Sequence, residues 1–191
     1  MLLLKYISIL FSLIFFTTIA NSQESSFEKV SKQYSLVLSL VDNTKSTYDN
    51  ISKTGFGIEL DYAWKLSGYN KKKNVYLSIP IGYQQFISAQ TKDLKVLFYG
   101  WSVRHELRKN KKWTPFLSYS LLLNQTWFDK IKGSNMGHQT RFSIGLNRRI
   151  KDKLLFTIII NYSFIRIPSL NNEKADRINR ISIGSGFRFG R

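Results

Sequence analysis

The sequence contains no cysteine, only three prolines and only two histidines among its 191 residues. Without cysteine there are no disulfides and no thiolate metal ligands, so packing and hydrogen bonds alone must hold the fold. The sequence also lacks a metal-ligand cluster, a phosphate-binding glycine loop and a nucleic-acid-binding module. We therefore predict no metal, no cofactor and no nucleic-acid partner.

Long apolar runs are equally scarce, and the main one stands at the N-terminus. Lys5 is followed by an almost wholly apolar stretch over residues 7–19 and by the small-x-small sequence Ala20-Asn21-Ser22. This order predicts a cleavable signal peptide over residues 1–22. The alternative is an uncleaved membrane anchor, but a spanning helix needs about 20 apolar residues. The strongest later run, residues 154–160, is shorter still, so any membrane insertion must be as a closed β-barrel.

Acidic residues are in deficit, and the net charge is +17. Such an excess suggests either nucleic acid or an anionic membrane surface as a partner. Export by a signal peptide argues against nucleic acid, which leaves the membrane surface.

A period of two residues dominates the rest of the chain. In residues 54–64, TGFGIELDYAW, the large apolar side chains share one face, and glycine, acidic residues and alanine share the other. Such alternation predicts a β-strand. The pattern recurs in segments 34–40, 75–84, 99–108, 117–124, 141–147, 156–164 and 181–189. Eight strands is the smallest usual number for a transmembrane barrel.

The composition of the two faces indicates which one points inward. The polar face is rich in glycine, serine and asparagine, which suits the cramped interior of an eight-stranded barrel. The apolar face carries the large residues, with aromatics towards strand ends as in interfacial girdles. A soluble lipocalin-like barrel would place the apolar face inside instead. We expect the apolar face to meet lipid.

The signal peptide, the eight alternating segments, VYLSIPIGYQ at 75–84 and the aromatic-rich ISIGSGFRF at 181–189 together carry a family resemblance. The chain resembles the outer membrane protein β-barrel domain family of small porin-type, PorT-type proteins. The resemblance implies an all-β, eight-stranded antiparallel up-and-down transmembrane barrel. One departure is that the chain continues past Phe189 with Gly190-Arg191, whereas such barrels commonly end on an aromatic residue.

In this architecture both termini face the periplasm, with residues 23–33 as a short periplasmic segment and 34–191 as the barrel. The predicted inner turns 65–74, 108–112 and 148–153 carry +11 in total, whereas the outer loops 42–53, 88–95, 124–140 and 166–180 carry +4. A basic periplasmic rim follows, formed by Lys71, Lys72, Lys73, Lys109, Lys111 and Lys112. The rim would face anionic phospholipid headgroups of the outer-membrane bilayer, or dock an acidic periplasmic or envelope partner.

Some charged residues fall on the predicted inner face. They are Glu59, Asp61, Arg104, Glu106, Arg108, Arg141 and Arg188. Buried charges must pair to offset desolvation, so a salt-bridge network that plugs the lumen is expected. The alternative is a narrow gated pore or an anion site.

No catalytic residue is predicted. His105 is expected on the lipid face, and His138 lies near Thr140 and Ser143, but no acid stands at a suitable spacing. Trp127 and Phe128 fall in the third outer loop, either as a contact site or packed on the barrel mouth. The sequence thus predicts a non-enzymatic outer-membrane protein with a structural or envelope-interaction role; the alternatives are a small-solute channel and a soluble ligand-binding barrel.

Overall fold

A computed structural model describes residues 32–45, 54–66, 74–87, 93–107, 112–128, 134–167 and 176–190. The predicted signal peptide and all but the end of the predicted periplasmic segment lie outside these residues. Eight strands make up the described chain: β1 Lys32–Lys45, β2 Thr54–Lys65, β3 Asn74–Phe86, β4 Leu94–Glu106, β5 Trp113–Phe128, β6 Asn135–Lys151, β7 Leu154–Ile167 and β8 Asp176–Gly190. Among the residues that the structure describes, no helix has the length and hydropathy needed to span a bilayer.

The strands pair in chain order, each antiparallel to the next, and β8 closes on β1. The predicted eight-stranded antiparallel barrel is therefore confirmed. One row of pairs starts at Gln33 and passes through Ala63, Ser78, Ser102, Ser120, Arg141, Ser163 and Arg180. The row returns to β1 at Asn43, ten residues beyond its start. This stagger goes with a strand tilt of roughly 35–45°.

The apolar face is outside, as predicted. Large apolar side chains such as Leu38, Leu60 and Ile144 are more than half exposed, whereas serines and asparagines of the other face are buried in the lumen. A lipocalin-like arrangement, with the apolar face inside, is therefore wrong. The expectation that aromatics gather towards strand ends is only partly right, because Tyr119 and Phe142 pair at mid-strand with ring centroids 5.0 Å apart.

Most strands extend further than their periodicity predicted. The predicted loop 124–140 shrinks because β5 continues to Phe128 and β6 begins at Asn135, and the loop 166–180 shrinks because β8 begins at Asp176. The predicted turn 148–153 reduces to the two residues between Lys151 and Leu154. These errors share a cause: strand ends whose outward side chains are polar lose the apolar alternation although their backbone pairing continues.

Candidate functional site

The lumen is the candidate site, because it holds the buried charges. We call the end of the barrel that carries both chain termini the terminal end, and the opposite end the loop end. Between them the lumen has three layers: an apolar layer at the loop end, one ion pair at the centre, and a group of charged and aromatic side chains at the terminal end.

The central ion pair joins β6 to β2 across the lumen. The Arg141 guanidinium donates to both carboxylate oxygens of Glu59, at 2.5 Å to Oε2 and 3.0 Å to Oε1. Arg141 also lies over the Phe98 ring, with its Cζ 5.5 Å from the ring centroid. A bidentate pair of this kind combines charge attraction with fixed geometry, which is why it offsets the desolvation of both groups.

Arg104 organises the terminal end. Its Nη1 lies 3.6 Å from Asp61 Oδ2 and its Nε lies 3.8 Å from Glu106 Oε1. Its Nη2 donates to the Gln33 side-chain oxygen, and its Cζ stands 4.7 Å from the centroid of the Tyr76 ring. One buried guanidinium thus connects four strands, β1 to β4.

Arg188 lies in the same layer but is held differently. Its Cζ is 4.6 Å from the centroid of the Phe116 ring, and Arg104 approaches the same ring at 6.0 Å. Within the part of the chain that the structure describes, the Nε and Nη1 atoms of Arg188 have no hydrogen-bond partner. Stacking on the negative face of an aromatic ring therefore supplies part of what ion pairing would otherwise supply.

The loop end is apolar rather than uniformly small and polar, which corrects the expected lumen composition. Val41, Phe86, Leu94 and Val96 form one buried cluster, and Ile165 and Ile178 form another. These side chains leave little room for water, so we interpret this layer as an apolar seal.

Arg180 is enclosed near this seal. It is 1% exposed, its Nε donates to Asn43 Oδ1 at 2.9 Å and its Nη1 donates to Gln84 Oε1. Its Cζ lies 4.3 Å from the centroid of the Phe86 ring. Among the described residues, no carboxylate forms an ion pair with Arg180. This guanidinium therefore relies on two neutral amides and one ring.

Two small cavities lie in the middle of the lumen. Each has a volume of about 20 Å³, and both are lined in part by Glu59, Asp61, Ile159 and Arg188. That volume holds about one water molecule. The centre of the lumen is filled by side chains, and each cavity offers a place for a water to meet the unpaired Arg188 N–H groups.

The predicted lumen network is brought together in two groups. One is Glu59 with Arg141, and the other is Asp61, Glu106 and Arg104, with Arg188 beside them. Arg108 lies outside the described residues. Of the predicted basic rim only Lys112 is described, and it is exposed.

Sequence reasoning missed two lumen residues, Arg180 and Gln33, and assigned a third residue, Arg148, to the wrong element. Arg180 was assigned to an outer loop and Gln33 to the periplasmic segment, while Arg148 was assigned to a turn although it lies in β6. Continued alternation from Ser182 to Arg180 and from Ser35 to Gln33 was the available signal. The same alternation along β6 predicts that Arg148 points outward. Its Cζ lies 5.2 Å from the centroid of the Trp113 ring.

The structure separates His138 from Ser143, one of the two hydroxyl residues noted near it in the sequence. His138 is exposed on the outer face, whereas Ser143 is buried on the lumen face of the same strand. His105 is exposed between Val103 and Leu107, as predicted. Trp127 belongs to β5 and packs against Tyr83 with ring centroids 6.3 Å apart, which favours the packing interpretation over a loop contact site. The side chain of Phe128 is not described.

No protein-family model and no curated protein matches this sequence. Solved structures do match. Neisserial surface protein A is similar with a TM-score of 0.63 at 12% identity, over 84% of this chain and 96% of that one. OprG from Pseudomonas aeruginosa is similar with a TM-score of 0.53 at 12% identity, over 85% of this chain and 97% of that one. The outer membrane enzyme PagL is similar with a TM-score of 0.50 at 10% identity, over 78% of this chain and 97% of that one. The chain has the fold of small eight-stranded outer-membrane β-barrels, a fold that carries more than one kind of function.

Proposed function

We propose that this protein is an integral outer-membrane barrel with a structural or envelope-interaction role, without catalytic activity and without an open channel. The observation that carries the proposal is the filled lumen: the Glu59–Arg141 pair spans it, and the two cavities beside that pair have volumes of about 20 Å³. A hydrated ion cannot pass such a constriction without rearrangement of the pair.

The outer wall supports placement in a bilayer. Exposed Leu, Ile, Phe, Tyr and Trp side chains surround the barrel, and such a surface in water would be an aggregation site. At the terminal end, Tyr34, Tyr62, Trp64 and Trp101 form a chain of ring contacts with centroid separations of 5.0 to 6.1 Å. Amphipathic rings of this kind favour the interface of a membrane.

Heat-modifiability tests the placement. The protein would be recovered from an outer-membrane fraction and run on SDS gels with and without boiling. We expect a compact unheated band that shifts on boiling, because a closed barrel resists SDS until it is heated. Recovery in the soluble periplasmic fraction without a shift would contradict the proposal.

Conductance in planar bilayers tests the absence of a channel. We expect no current steps from the folded wild type under conditions in which an open porin conducts. The matched variant is Glu59→Ala/Arg141→Ala, which removes both members of the central pair. Conduction that appears only in this variant would show that the pair is the obstruction, whereas a variant that does not conduct would show that the apolar seal closes the lumen as well.

A narrow anion channel is the second candidate. It is favoured by the balance of charge among the described residues that point into the lumen: the buried arginines Arg104, Arg141, Arg180 and Arg188 outnumber the carboxylates Glu59, Asp61 and Glu106. Anion-selective steps in the wild type that disappear in Arg188→Met would establish it in place of the closed barrel.

The direction of insertion extends the proposal. With the terminal end in the periplasm, the exposed Lys32, Lys112, Lys151 and Lys153 lie at the inner rim. An acidic periplasmic partner could dock there. Neutralising Lys71–Lys73, Lys109, Lys111 and Lys112 should reduce co-purification of such a partner, and an unchanged partner set would exclude it.

A further inference from the structure

The outer wall has a recess that crosses strands β4 to β7. Its volume is about 500 Å³, and its lining is almost wholly apolar. The main lining residues are Leu117, Tyr119, Phe142, Ile144, Ile160 and Tyr162. All six lie on the face of the barrel that points away from the lumen.

The recess arises from two adjacent rows of paired side chains. Tyr119, Phe142 and Tyr162 are paired across β5, β6 and β7 and form an aromatic ridge. The next row towards the terminal end consists of Leu117, Ile144 and Ile160, which are paired in the same way. Aliphatic side chains project less than tyrosine and phenylalanine rings, so the surface steps inward below the ridge.

Towards the terminal end the recess meets polar groups. His105 lines its β4 edge, pairs with Leu117 and is the next-to-last residue of β4. Four residues beyond Ile144, or about 13 Å along the strand, Arg148 stacks on Trp113. The exposed His105 imidazole thus marks the side of the recess nearest the membrane interface, and Arg148 is buried beside it under Trp113.

Exposed lysines adjoin Arg148 at this corner. The Lys112 carbonyl accepts a hydrogen bond from the Arg149 backbone N–H at 3.1 Å, which fixes the start of β5 beside the end of β6. Lys151 lies three residues after Arg148, and the side chains of Lys112 and Lys151 are both exposed. We call Lys112 and Lys151 the cationic corner; Arg148 is 3% exposed and Arg149 pairs with the lumen-facing Leu155, so neither belongs to it.

We propose that this surface is a binding site for one anionic glycerophospholipid from the leaflet at the terminal end. An acyl chain lies in the recess, the phosphate lies at the cationic corner, and the His105 imidazole donates to a headgroup or ester oxygen. The spacing fits, because 13 Å along a strand tilted by roughly 40° descends about 10 Å, within one leaflet of a hydrocarbon core about 30 Å thick. The inference rests on the proposed membrane placement.

A second copy of this chain is the competing occupant of an apolar recess. Insertion fixes the orientation of every copy in the membrane, so two copies that meet through their recesses would bring two cationic corners to the same depth. Like charges at close range repel. An anionic lipid instead meets the apolar surface and the positive charge with complementary chemistry.

Native mass spectrometry of the folded protein tests the site. Protein equilibrated with equal amounts of phosphatidylglycerol and phosphatidylethanolamine of identical chains would be released from detergent and its lipid adducts counted. We expect one phosphatidylglycerol to be retained preferentially. Each lysine should contribute about a fivefold preference, the fold-change equivalent of about 1 kcal/mol.

Two variants separate the parts of the site, and each has a matched control. Ile144→Trp fills the recess and should abolish the retained adduct, whereas Leu60→Trp, at a similarly exposed position on the opposite wall, should not. Lys112→Gln/Lys151→Gln should make the two lipids bind equally, whereas Lys32→Gln/Lys65→Gln at the terminal end of β1 and β2 should leave the preference intact.

The outcomes distinguish this inference from the proposed function. A heat-modifiable barrel that retains both lipids equally, or that responds alike to the variants and their controls, would overturn the lipid site and leave the membrane placement standing. Protein dimers that Ile144→Trp disrupts would assign the recess to a second copy instead. A protein that shows neither a heat shift nor a lipid adduct would contradict both the lipid site and the proposed membrane placement.

Discussion

The two ends of the lumen bury guanidinium groups by different means. At the terminal end, Arg104 lies within ion-pair distance of Asp61 and Glu106. At the loop end, the partners of Arg180 among the described residues are the neutral oxygens of Asn43 and Gln84 and the ring of Phe86. The first arrangement balances charge, and the second surrounds an unbalanced charge with dipoles.

The cost of removing a buried charge therefore depends on which groups remain without a partner. Deleting Arg104 leaves two carboxylates without their cation, whereas deleting Arg180 leaves two amides that can turn to other partners. Uncompensated buried charge costs far more than an unsatisfied neutral acceptor. The same substitution should therefore have unequal effects at the two ends.

Arg104→Met should produce the largest effect, a loss of about 4 kcal/mol in the free energy of unfolding, because Asp61 and Glu106 lose their counter-charge. Urea unfolding in lipid vesicles, followed by tryptophan fluorescence, measures this change. Adding Asp61→Asn and Glu106→Gln to the variant should recover most of the stability. A loss below about 1 kcal/mol would show that these carboxylates do not depend on Arg104.

Glu59→Ala should lower the free energy of unfolding by about 3 kcal/mol, because it leaves Arg141 in the lumen without its counter-charge. The effect should be smaller than that of Arg104→Met because Glu59 is 20% exposed and water can reach the site. The control is Glu59→Ala/Arg141→Met, which removes both charges and should be closer to the wild type. A double variant as unstable as the single one would indicate lost packing rather than lost pairing.

Gly82→Val tests how tightly the aromatic side chains pack below the loop-end seal. It should lower the free energy of unfolding by about 2 kcal/mol, because the added side chain overpacks the lumen. Gly82 pairs with Phe98, and a Cβ at this position would overlap the Phe98 ring. Phe98→Ala in the same chain should relieve the clash, so the two changes should be non-additive. Additive losses would mean that the ring does not occupy this position.

Arg180→Met should have the smallest effect, within about 1 kcal/mol, because the hydrogen bonds it loses are offset by the removal of an unpaired buried charge. Measured beside Arg104→Met under identical conditions, it isolates the difference between the two ends. Equal losses from the two variants would remove the distinction between a charge-balanced and a dipole-held guanidinium.

Much of the fold could be predicted from the sequence. Alternation of large apolar and small polar side chains forces one face out and the other in, so the eight strands and the inward placement of Glu59, Asp61 and Arg141 followed directly. The strand ends could not be predicted, because backbone pairing continues where outward polar residues such as Arg166 and Arg177 break the apolar pattern.

The partners within the lumen could not be predicted either. Which arginine meets which carboxylate depends on the stagger of ten residues around the barrel, and that stagger is set by register rather than by composition. It brings Arg141 of β6 to Glu59 of β2, which are 82 residues apart in sequence. The apolar seal was also missed, because Leu94 and Val96 face the lumen at a strand end where lipid-facing residues are polar.

The most direct test is the conductance of the folded protein in a planar bilayer, with insertion verified by its heat-dependent gel shift. We expect a membrane-inserted wild-type barrel with no current steps, because the central Glu59–Arg141 pair and the loop-end seal both close the lumen. Stable steps in the inserted wild type would contradict the closed lumen on which the proposed role depends.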